Sequence, residues 1–352
     1  MLCVVNEEGN MNTENQTTVN KRKADHLALT NSAQTGAQDL DTRFDYEPLF
    51  AAHPVGDDWI KPVSFLGKTL KAPLWISSMT GGTIEAKTIN TNLAKAAKEF
   101  GLGFGLGSCR SLLDSSERFE DFNFRPLLGE ETPFYANLGI AQVEQTLAAG
   151  EVDKIHNMVE RLQVDGLIIH INPLQEWFQP EGDRLKVSPL ETLKAFMKHT
   201  RYPIIVKEVG QGFGPKSLEA LMKLPLAAIE FGAFGGTNFS RMEQLRDITS
   251  CNDGDHGLQF VGHTAAEMLT HVNRIIDTFG AAIQCRSFIV SGGIRSALSG
   301  YELITQCRAD AVYAQAKPFL DHARGDYKTL QKFVLEQVLE LEMARRFLSV
   351  RS

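Results

Sequence analysis

The segment His170–Arg184 concentrates polar side chains directly after an apolar stretch, and it reads His-Ile-Asn-Pro-Leu-Gln-Glu-Trp-Phe-Gln-Pro-Glu-Gly-Asp-Arg. A central strand does not normally run into so many polar groups unless they line a site. Pro173 stops the strand, so we expect Gln175 and Glu176 to point from a loop toward that site. A lone carboxylate suits Mg²⁺, which keeps several waters and is completed by substrate phosphates. The alternatives are a solvated loop residue for Glu176 and a core histidine for His170.

Lys207 is a charged residue placed directly after the apolar run Ile204, Ile205 and Val206. A charge there is costly unless it has a partner. A cofactor anion or ring would be such a partner. An ion pair with Glu230 or another carboxylate is the alternative.

Two glycine loops could hold a phosphate. The run Ser291–Arg295 leaves an apolar stretch and precedes a helical one, so its backbone N–H groups could approach an anion while Arg295 adds charge. Together with residues 311–318 it matches the phosphate site that barrels form after strands seven and eight. Gly235-Gly236-Thr237 is a second such loop. In both places a plain glycine turn is the alternative.

The elements that must position these residues alternate between short apolar runs and amphipathic stretches. Strands are predicted over residues 73–76, 102–106, 133–138, 166–171, 203–209, 227–231, 288–291 and 311–314, and helices over residues 86–100, 152–162, 189–198, 216–224 and 264–279. This order indicates parallel strands joined by helices. Eight units, with no strand-linked GxGxxG, favour a (β/α)8 TIM barrel over a doubly wound sheet.

Three further features follow from the same pattern. Glycines alternate at positions 101, 103, 105 and 107, as in a strand whose inward positions must stay small. Residues 235–257 are predicted to form a long loop beside the catalytic face. Residues 327–350 are predicted to form one terminal helix.

The domain organisation is predicted from composition. Residues 1–20 are rich in Asn, Thr, Gln and Glu, so we expect a disordered tail. Residues 21–62 would form an N-terminal segment that begins with the basic run Lys21-Arg22-Lys23, and to which the family resemblance given below assigns substrate binding. Residues 63–352 would form the barrel with its C-terminal helix.

Composition excludes several classes of protein. The chain has 352 residues, 43% hydrophobic residues and a formal net charge of -7. Its apolar runs are too short to cross a membrane, and its acidity argues against binding nucleic acid. Five cysteines without a CxxC pair fit neither a zinc site nor a disulfide framework. We therefore expect a cytoplasmic protein.

Several motifs occurring together resemble the type 2 isopentenyl diphosphate isomerase family. They cover roughly residues 21 to 320 and are, in chain order, residues 23–26 (KADH), 76–82 (ISSMTGG), 136–139 (ANLG), 172–176 (NPLQE), 179–184 (QPEGDR), 206–210 (VKEVG), 235–237 (GGT) and 291–295 (SGGIR). The NPLQE and QPEGDR motifs are highly specific. The two glycine motifs are shared with other FMN barrels.

This resemblance implies an FMN-dependent enzyme that interconverts isopentenyl and dimethylallyl diphosphate, with Mg²⁺ and with NAD(P)H as the reductant of the flavin. It implies that the small-molecule diphosphate is bound by Arg22, Lys23, His26, Ser108, Arg110, His170, Asn172 and Gln175, and that Glu176 binds the metal. It implies flavin contacts from Met79, Thr80, Gly81, Ser108, Asn137, Lys207, Thr237, Gly292, Gly293, Arg295, Ala314 and Gln315. We also expect a homo-oligomer.

Three stretches of the chain depart from the family pattern. Cys109 stands where glutamine is common, and His263 stands where a proline often precedes the threonine. Tyr313 and Gln315 stand where small residues are usual, so the assignments of Ala314 and Gln315 are the least specific.

The chemistry expected of this family moves a double bond by adding a proton at one alkene carbon and removing another nearby. No side chain in the sequence is an obvious acid for carbon. We therefore expect the reduced flavin to handle the proton and Gln175 to position or relay it.

Three rival functions remain open at this stage. A flavin oxidase of 2-hydroxy acids would need a histidine and an arginine after the late strands, where Gly236-Thr237 and Ser291 stand without an adjacent histidine. A nucleotide dehydrogenase would use Cys109 as its nucleophile, but this cysteine comes too early in the chain. A flavin-binding sensor is the non-enzymatic rival, and turnover by the reduced protein would distinguish it.

Overall fold

The computed structural model describes residues 13–54, 61–79, 84–246 and 257–351. The chain divides into two compact units. The first is Met1–Phe44 with Arg351, and the second is Asp45–Val350 with Ser352.

The first unit contains one long helix, Thr13–Leu29, followed by a 3-10 turn at Ala37–Asp39. The helix includes residues 13–20, for which we predicted a disordered tail, so that prediction is wrong over this stretch. The physical reason is local. Lys, Arg, Ala and Leu in the later turns are good helix formers, and a helix that nucleates there can propagate toward Thr13. Residues 1–12 lie outside the described part of the chain.

The second unit contains a closed barrel of eight parallel strands, which confirms the predicted (β/α)8 TIM barrel. In chain order the strands are Leu74–Ile76, Gly103–Gly105, Phe134–Gly139, Gly166–Ile171, Ile204–Glu208, Ala228–Glu230, Ser287–Ser291 and Asp310–Gln315. All eight predicted strands are present, and no end differs from its predicted position by more than one residue. The last strand pairs with the first, with Ala314 opposite Trp75, and this pairing closes the barrel.

Helices follow the strands along the chain. They are Ile84–Phe100, Arg125–Leu128, Ile140–Ala148, Val152–Leu162, Pro173–Phe178, Pro189–Met197, Pro215–Met222, Phe239–Arg246, Ala265–Phe279, Ala297–Gln306, Lys317–Ala323 and Tyr327–Phe347. The five predicted connecting helices are confirmed. Thr264 caps one of them, because its hydroxyl accepts the N–H of Glu267 while the Glu267 carboxylate accepts the N–H of Thr264.

One predicted connection is wrong, and the predicted terminal helix is confirmed with an end three residues earlier. The stretch predicted as a long loop over 235–257 contains the helix Phe239–Arg246, which begins where the side chain of Asn238 accepts the N–H of Arg241. The terminal helix ends at Phe347, and a short strand, Leu348–Val350, follows it. The β-branched side chain of Val350 favours a strand at this position.

The amino end of the barrel is filled by large side chains. Trp75, Tyr135 and Ile168 form an interior cluster with Phe65 and Leu70, which come from the antiparallel hairpin Val63–Phe65 and Lys68–Leu70. A Cβ on Gly103 would lie 1.9 Å from a ring carbon of Trp75. The prediction that inward glycine positions must stay small is confirmed at Gly103 and Gly105, the two glycines that lie in the strand.

No helix in the described part of the chain is long and apolar enough to cross a membrane.

Candidate functional site

A polar layer lies above the apolar cluster, at the carboxyl ends of the strands. Side chains two positions apart on a strand face the same side, and on six strands a polar residue follows an apolar interior one at this spacing. The pairs are Trp75 and Ser77, Tyr135 and Asn137, Ile168 and His170, Ile205 and Lys207, Ala228 and Glu230, and Ile289 and Ser291. The barrel therefore changes from apolar to polar just below its mouth, where barrel enzymes place their active sites.

His170 contacts Asn137 from the neighbouring strand. The Nδ1 atom of His170 lies 2.7 Å from Oδ1 of Asn137. Because the amide oxygen can only accept, Nδ1 carries the proton. Burial, together with the nearby charge of Lys207, lowers the pKa of His170 to about 3. His170 is therefore a neutral side chain with a fixed tautomer, and it belongs to the polar layer.

Lys207 lies in this layer and is only 7% exposed. Its Nζ donates to the main-chain oxygen of Glu208 at 2.7 Å. Its Cα is the register partner of Glu230 on the next strand. The charge of Lys207 thus lies beside a buried carboxyl group, as the ion-pair alternative requires, while its hydrogen bond goes to a carbonyl.

Glu230 is fully buried. The sequence suggested it only as a possible ion-pair partner of Lys207. Its carboxyl group accepts a hydrogen bond from the hydroxyl of Ser77, and its Oε2 has no hydrogen-bond partner among the described residues. Burial raises the pKa of Glu230, and the charge of Lys207 opposes that shift. A charged residue at the end of an apolar strand is the signal that could have identified Glu230 earlier.

The NPLQE motif forms the short helix Pro173–Phe178 and not the loop that we predicted. Proline is well suited to the first helical position, where its missing N–H needs no partner. Glu176 is 8% exposed, so the solvated-loop alternative is wrong. Its Oε1 accepts from Asn172 Nδ2 at 2.9 Å, and its Oε2 accepts from the N–H of Asp183 at 2.7 Å.

Asn172 connects this carboxylate to Gln175. Asn172 Nδ2 also donates to Gln175 Oε1 at 3.2 Å. The Asn172 side-chain oxygen is buried without a hydrogen-bond partner among the described residues. It is an acceptor available to a donor or a cation.

Gln175 also contacts Glu243, a residue that the sequence did not suggest. Gln175 Nε2 lies 3.4 Å from Glu243 Oε1, and Glu243 is 4% exposed. Arg246 pairs with Glu243 one turn along the same helix and with Glu181 of the QPEGDR motif. The only signal in the sequence was an acidic residue inside a stretch predicted to be a loop.

Ser108 and Arg110 follow the second strand and are both exposed. Arg110 forms an ion pair with Asp183 at 2.9 Å. Cys109 between them is fully buried, and its burial raises the pKa of the thiol to about 12. A buried, protonated thiol is a poor nucleophile, so the structure gives no support to the cysteine-dependent dehydrogenase.

The two glycine loops lie next to each other after the sixth and seventh strands. Gly235, Gly292 and Gly293 have φ values of 118°, 95° and 74°, a region that favours glycine. A Cβ on Gly292 would lie 2.1 Å from the carbonyl oxygen of Ala233. Beyond Arg295 the helix Ala297–Gln306 begins, with Ser296 as its N-cap. Backbone at a helix N-terminus is suited to an anion.

The remaining predicted residues are placed as follows. Met79 packs against the core, and Ala314 is buried in the interior cluster. The side chain of Gln315 contacts Gln337 on the C-terminal helix at 3.4 Å, so it faces away from the barrel interior. Thr237 is exposed next to Gly236. Thr80 and Gly81 lie outside the described residues.

Arg22, Lys23 and His26 lie on the helix of the first unit and are exposed. Within the described barrel, hydrogen bonds join His170 to Asn137 and Asn172 to Gln175 and Glu176, the side chain of Gln315 lies outside this group, and Arg22, Lys23 and His26 share one helix of the first unit.

Sequence relatives of the chain are isomerases. No protein-family model matches it. An isopentenyl-diphosphate delta-isomerase of Deinococcus radiodurans is 33% identical over 329 residues, which covers 93% of this chain and 93% of that protein. A protein with the same name from a Synechococcus species is 33% identical over 334 residues, which covers 92% of this chain and 91% of that protein.

Structural relatives are more distant in sequence. The flavin-binding domain of baker's yeast flavocytochrome b2 superposes with a TM-score of 0.58 at 14% identity, covering 86% of this chain and 71% of that one. A mandelate oxidase variant with (S)-mandelic acid gives a TM-score of 0.53 at 14% identity, covering 88% of this chain and 87% of that one. At this identity the likeness concerns the barrel fold alone.

Proposed function

This chain belongs to the isopentenyl-diphosphate delta-isomerase family, and from that membership we propose that it interconverts isopentenyl and dimethylallyl diphosphate by 1,3-allylic proton transfer with reduced FMN and Mg²⁺. The barrel with its paired glycine loops fits the FMN-dependent type 2 form. The observation that carries the proposal is the short helix Pro173–Phe178 at the barrel mouth. Asn172, directly before this helix, donates hydrogen bonds to Gln175 and Glu176 on it.

The residues present fit FMN. Gly292 and Gly235 adopt left-handed backbone, and the space of a Cβ on Gly292 is taken by the Ala233 carbonyl. We propose that this backbone, with Gly293, Thr237 and Arg295, holds the phosphate, and that Met79, Thr80, Gly81, Ser108, Asn137, Lys207, Ala314 and the main chain of Gln315 contact the rest of the cofactor. When bound, reduced FMN supplies the proton donor and acceptor.

The polar layer supports this placement. Lys207 brings a buried positive charge, and the free oxygen of Glu230 is a buried acceptor beside it. In the described barrel, Lys207 Nζ donates to a main-chain oxygen and to no carboxylate at hydrogen-bond distance. An electron-rich ring would therefore be a partner for its charge.

The residues also fit Mg²⁺ and a diphosphate. Glu176 and the unpartnered oxygen of Asn172 are both hard oxygen ligands, which Mg²⁺ prefers. We propose that Glu176 binds the metal and that Arg110, Ser108, His170 and Asn172 line the diphosphate site, where His170 Nε2 must gain a proton before it can donate to a phosphate oxygen. Arg22, Lys23 and His26 would add positive charge to the same group.

Gln175 is proposed to act at the alkene. Its amide is held between Asn172 and Glu243, so its orientation is set from both sides. A fixed amide can position a proton near carbon without being ionised itself. Binding energy from the remote diphosphate would orient the alkene against it.

The remaining expectations also stand as proposals. NAD(P)H would reduce the flavin, the protein would be a cytoplasmic homo-oligomer, and it would bind neither nucleic acid nor membranes.

The test is an anaerobic incubation of the purified protein with FMN, NADPH, Mg²⁺ and isopentenyl diphosphate. Dimethylallyl diphosphate should form, and it should not form when NADPH or Mg²⁺ is omitted. Equal turnover with oxidised FMN would contradict the role of the reduced flavin. Bound flavin without any turnover would favour the sensor.

A further inference from the structure

Asp183 belongs to the QPEGDR motif, but neither the sequence nor the proposed function gives it a role. Its side chain is 17% exposed. Its carboxylate accepts from Arg110 Nη1 at 2.9 Å, from Gln142 Nε2 at 2.8 Å and from Gln145 Nε2 at 2.8 Å. Three donors from two separate parts of the chain therefore converge on one carboxylate.

The two glutamines hold this carboxylate independently of Arg110. Both lie on the helix Ile140–Ala148, which follows the third barrel strand, and Gln142 is only 5% exposed. A carboxylate with two amide donors from a rigid helix has little freedom to move. Arg110 is the more exposed partner of the pair, since its side chain is 58% exposed and that of Asp183 is 17% exposed.

The backbone of Asp183 fixes a second group. Its N–H donates to Glu176 Oε2 at 2.7 Å. The following residue, Arg184, donates to the main-chain oxygen of Glu176 and lies over the ring of Trp177 at 5.2 Å. Asp183 therefore sets the position of Glu176 through its backbone and that of Arg110 through its side chain.

We propose that Asp183 is a positioning residue for the diphosphate site, holding Arg110 in the orientation that binds the substrate. This inference rests on the proposed function, in which Arg110 grips the diphosphate and Glu176 reaches it through Mg²⁺. A free arginine side chain would lose substantial rotamer entropy on binding. A guanidinium has five N–H donors, so one contact to Asp183 leaves others for the ligand.

The charge of Asp183 also has an effect of the opposite sign. Its negative charge would repel a diphosphate, and then its removal would tighten binding. The two effects differ in sign, so a binding measurement separates them.

The experiment measures the binding of isopentenyl diphosphate and of inorganic pyrophosphate by calorimetry, using the full chain with FMN and Mg²⁺. The variants are Asp183→Asn, Arg110→Ala and the double variant. Asp183→Asn should weaken binding about 2- to 5-fold, the range for an ion pair whose arginine is largely exposed. In kinetics it should raise KM and leave kcat close to that of the unmodified protein.

The double variant tests whether Asp183 acts through Arg110. Adding Asp183→Asn to Arg110→Ala should cost no further affinity, because the residue that Asp183 positions is already gone. Additive losses, unchanged binding or tighter binding by Asp183→Asn would each overturn the proposal.

Two controls complete the design. Asp277→Asn removes an exposed carboxylate paired with Arg308, which precedes the eighth strand at the amino end of the barrel, and it should leave binding unchanged. If Asp183→Asn fails to fold, Gln145→Ala removes one donor from an exposed position and should weaken binding in the same direction by less. Pyrophosphate binding that follows the expected pattern in a protein without isomerase activity would reject the proposed function and retain this inference.

Discussion

The Nδ1 atom of His170 lies 2.7 Å from the side-chain oxygen of Asn137, on the adjacent strand of the barrel. The contact fixes which ring nitrogen carries the proton and leaves Nε2 as an acceptor. A histidine assigned to diphosphate binding is thus neutral in the protein alone, and positive charge at the barrel mouth must come from arginine, lysine or a metal ion.

His170 should not titrate near neutral pH in the protein without ligands. Its pKa is lowered to about 3 by burial and by the charge of Lys207, so its ring NMR signals should stay constant between pH 5 and 8. A His170→Gln variant identifies the signals. A ring that titrates near 6.5 would contradict the structure.

The same group should make stability depend on pH. Between about 3 and 6.5 the unfolded chain binds a proton at His170 that the folded protein does not. The free energy of unfolding should therefore fall as pH drops through this window, by up to about 1.4 kcal/mol per pH unit from this residue. Denaturant unfolding should give a shallower pH dependence for His170→Gln, and equal slopes would refute the expectation.

Gly103→Ala should destabilise the barrel. The added Cβ would lie 1.9 Å from a carbon of the buried Trp75 ring, and overpacking of this kind costs about 1–3 kcal/mol. Gly325→Ala is the matched control, because nothing lies within 4 Å of its added Cβ. Denaturant unfolding of both variants provides the measurement, and equal stabilities would show that the interior is less tightly packed.

Gln175→Ala should lower turnover by about 10²- to 10⁴-fold and leave FMN affinity intact, as expected for a residue that positions or relays a proton. Glu243→Gln should act in the same direction, since Glu243 Oε1 is 3.4 Å from Gln175 Nε2. Gln284→Ala, at an exposed glutamine before the seventh strand, is the control. If turnover, flavin affinity and melting temperature all fall together, Gln175 only holds the structure.

Glu176→Gln should raise the Mg²⁺ concentration needed for half-maximal activity while FMN stays bound. The carboxylate is assigned to the metal, and its two oxygens accept from Asn172 and Asp183. Glu191→Gln, at an exposed helical position paired with Lys194, should change neither quantity. Loss of flavin from Glu176→Gln would show that the assignment to the metal is wrong.

Arg22→Ala combined with Lys23→Ala should raise KM for the diphosphate, because two positive charges assigned to it are lost. Both residues are exposed on a helix, so the melting temperature should not change. Steady-state kinetics provide the measurement. An unchanged KM would show that Arg22 and Lys23 do not contribute to diphosphate binding.

The local pattern of the sequence determined the fold and the identity of most candidate residues. Apolar runs of strand length alternating with helical periodicity predicted all eight strands, and Gly103 was predicted to face a crowded interior. These features are local, since the two-residue period of a strand and the 3.6-residue period of a helix are visible within about a dozen residues. The motif containing Gln175 and Glu176 was equally local.

Only the tertiary structure decided which side chains meet. Glu243 is 68 residues from Gln175, Asp183 is 73 residues from Arg110, and Glu230 is 153 residues from Ser77. Their contacts depend on the register of the strands and on closure of the barrel, which periodicity does not encode. The helix at residues 173–178 was mistaken for a loop because it is too short to show a helical period. Burial of Glu176 was not predicted, because the N–H that binds its Oε2 comes from Asp183, seven residues further along the chain.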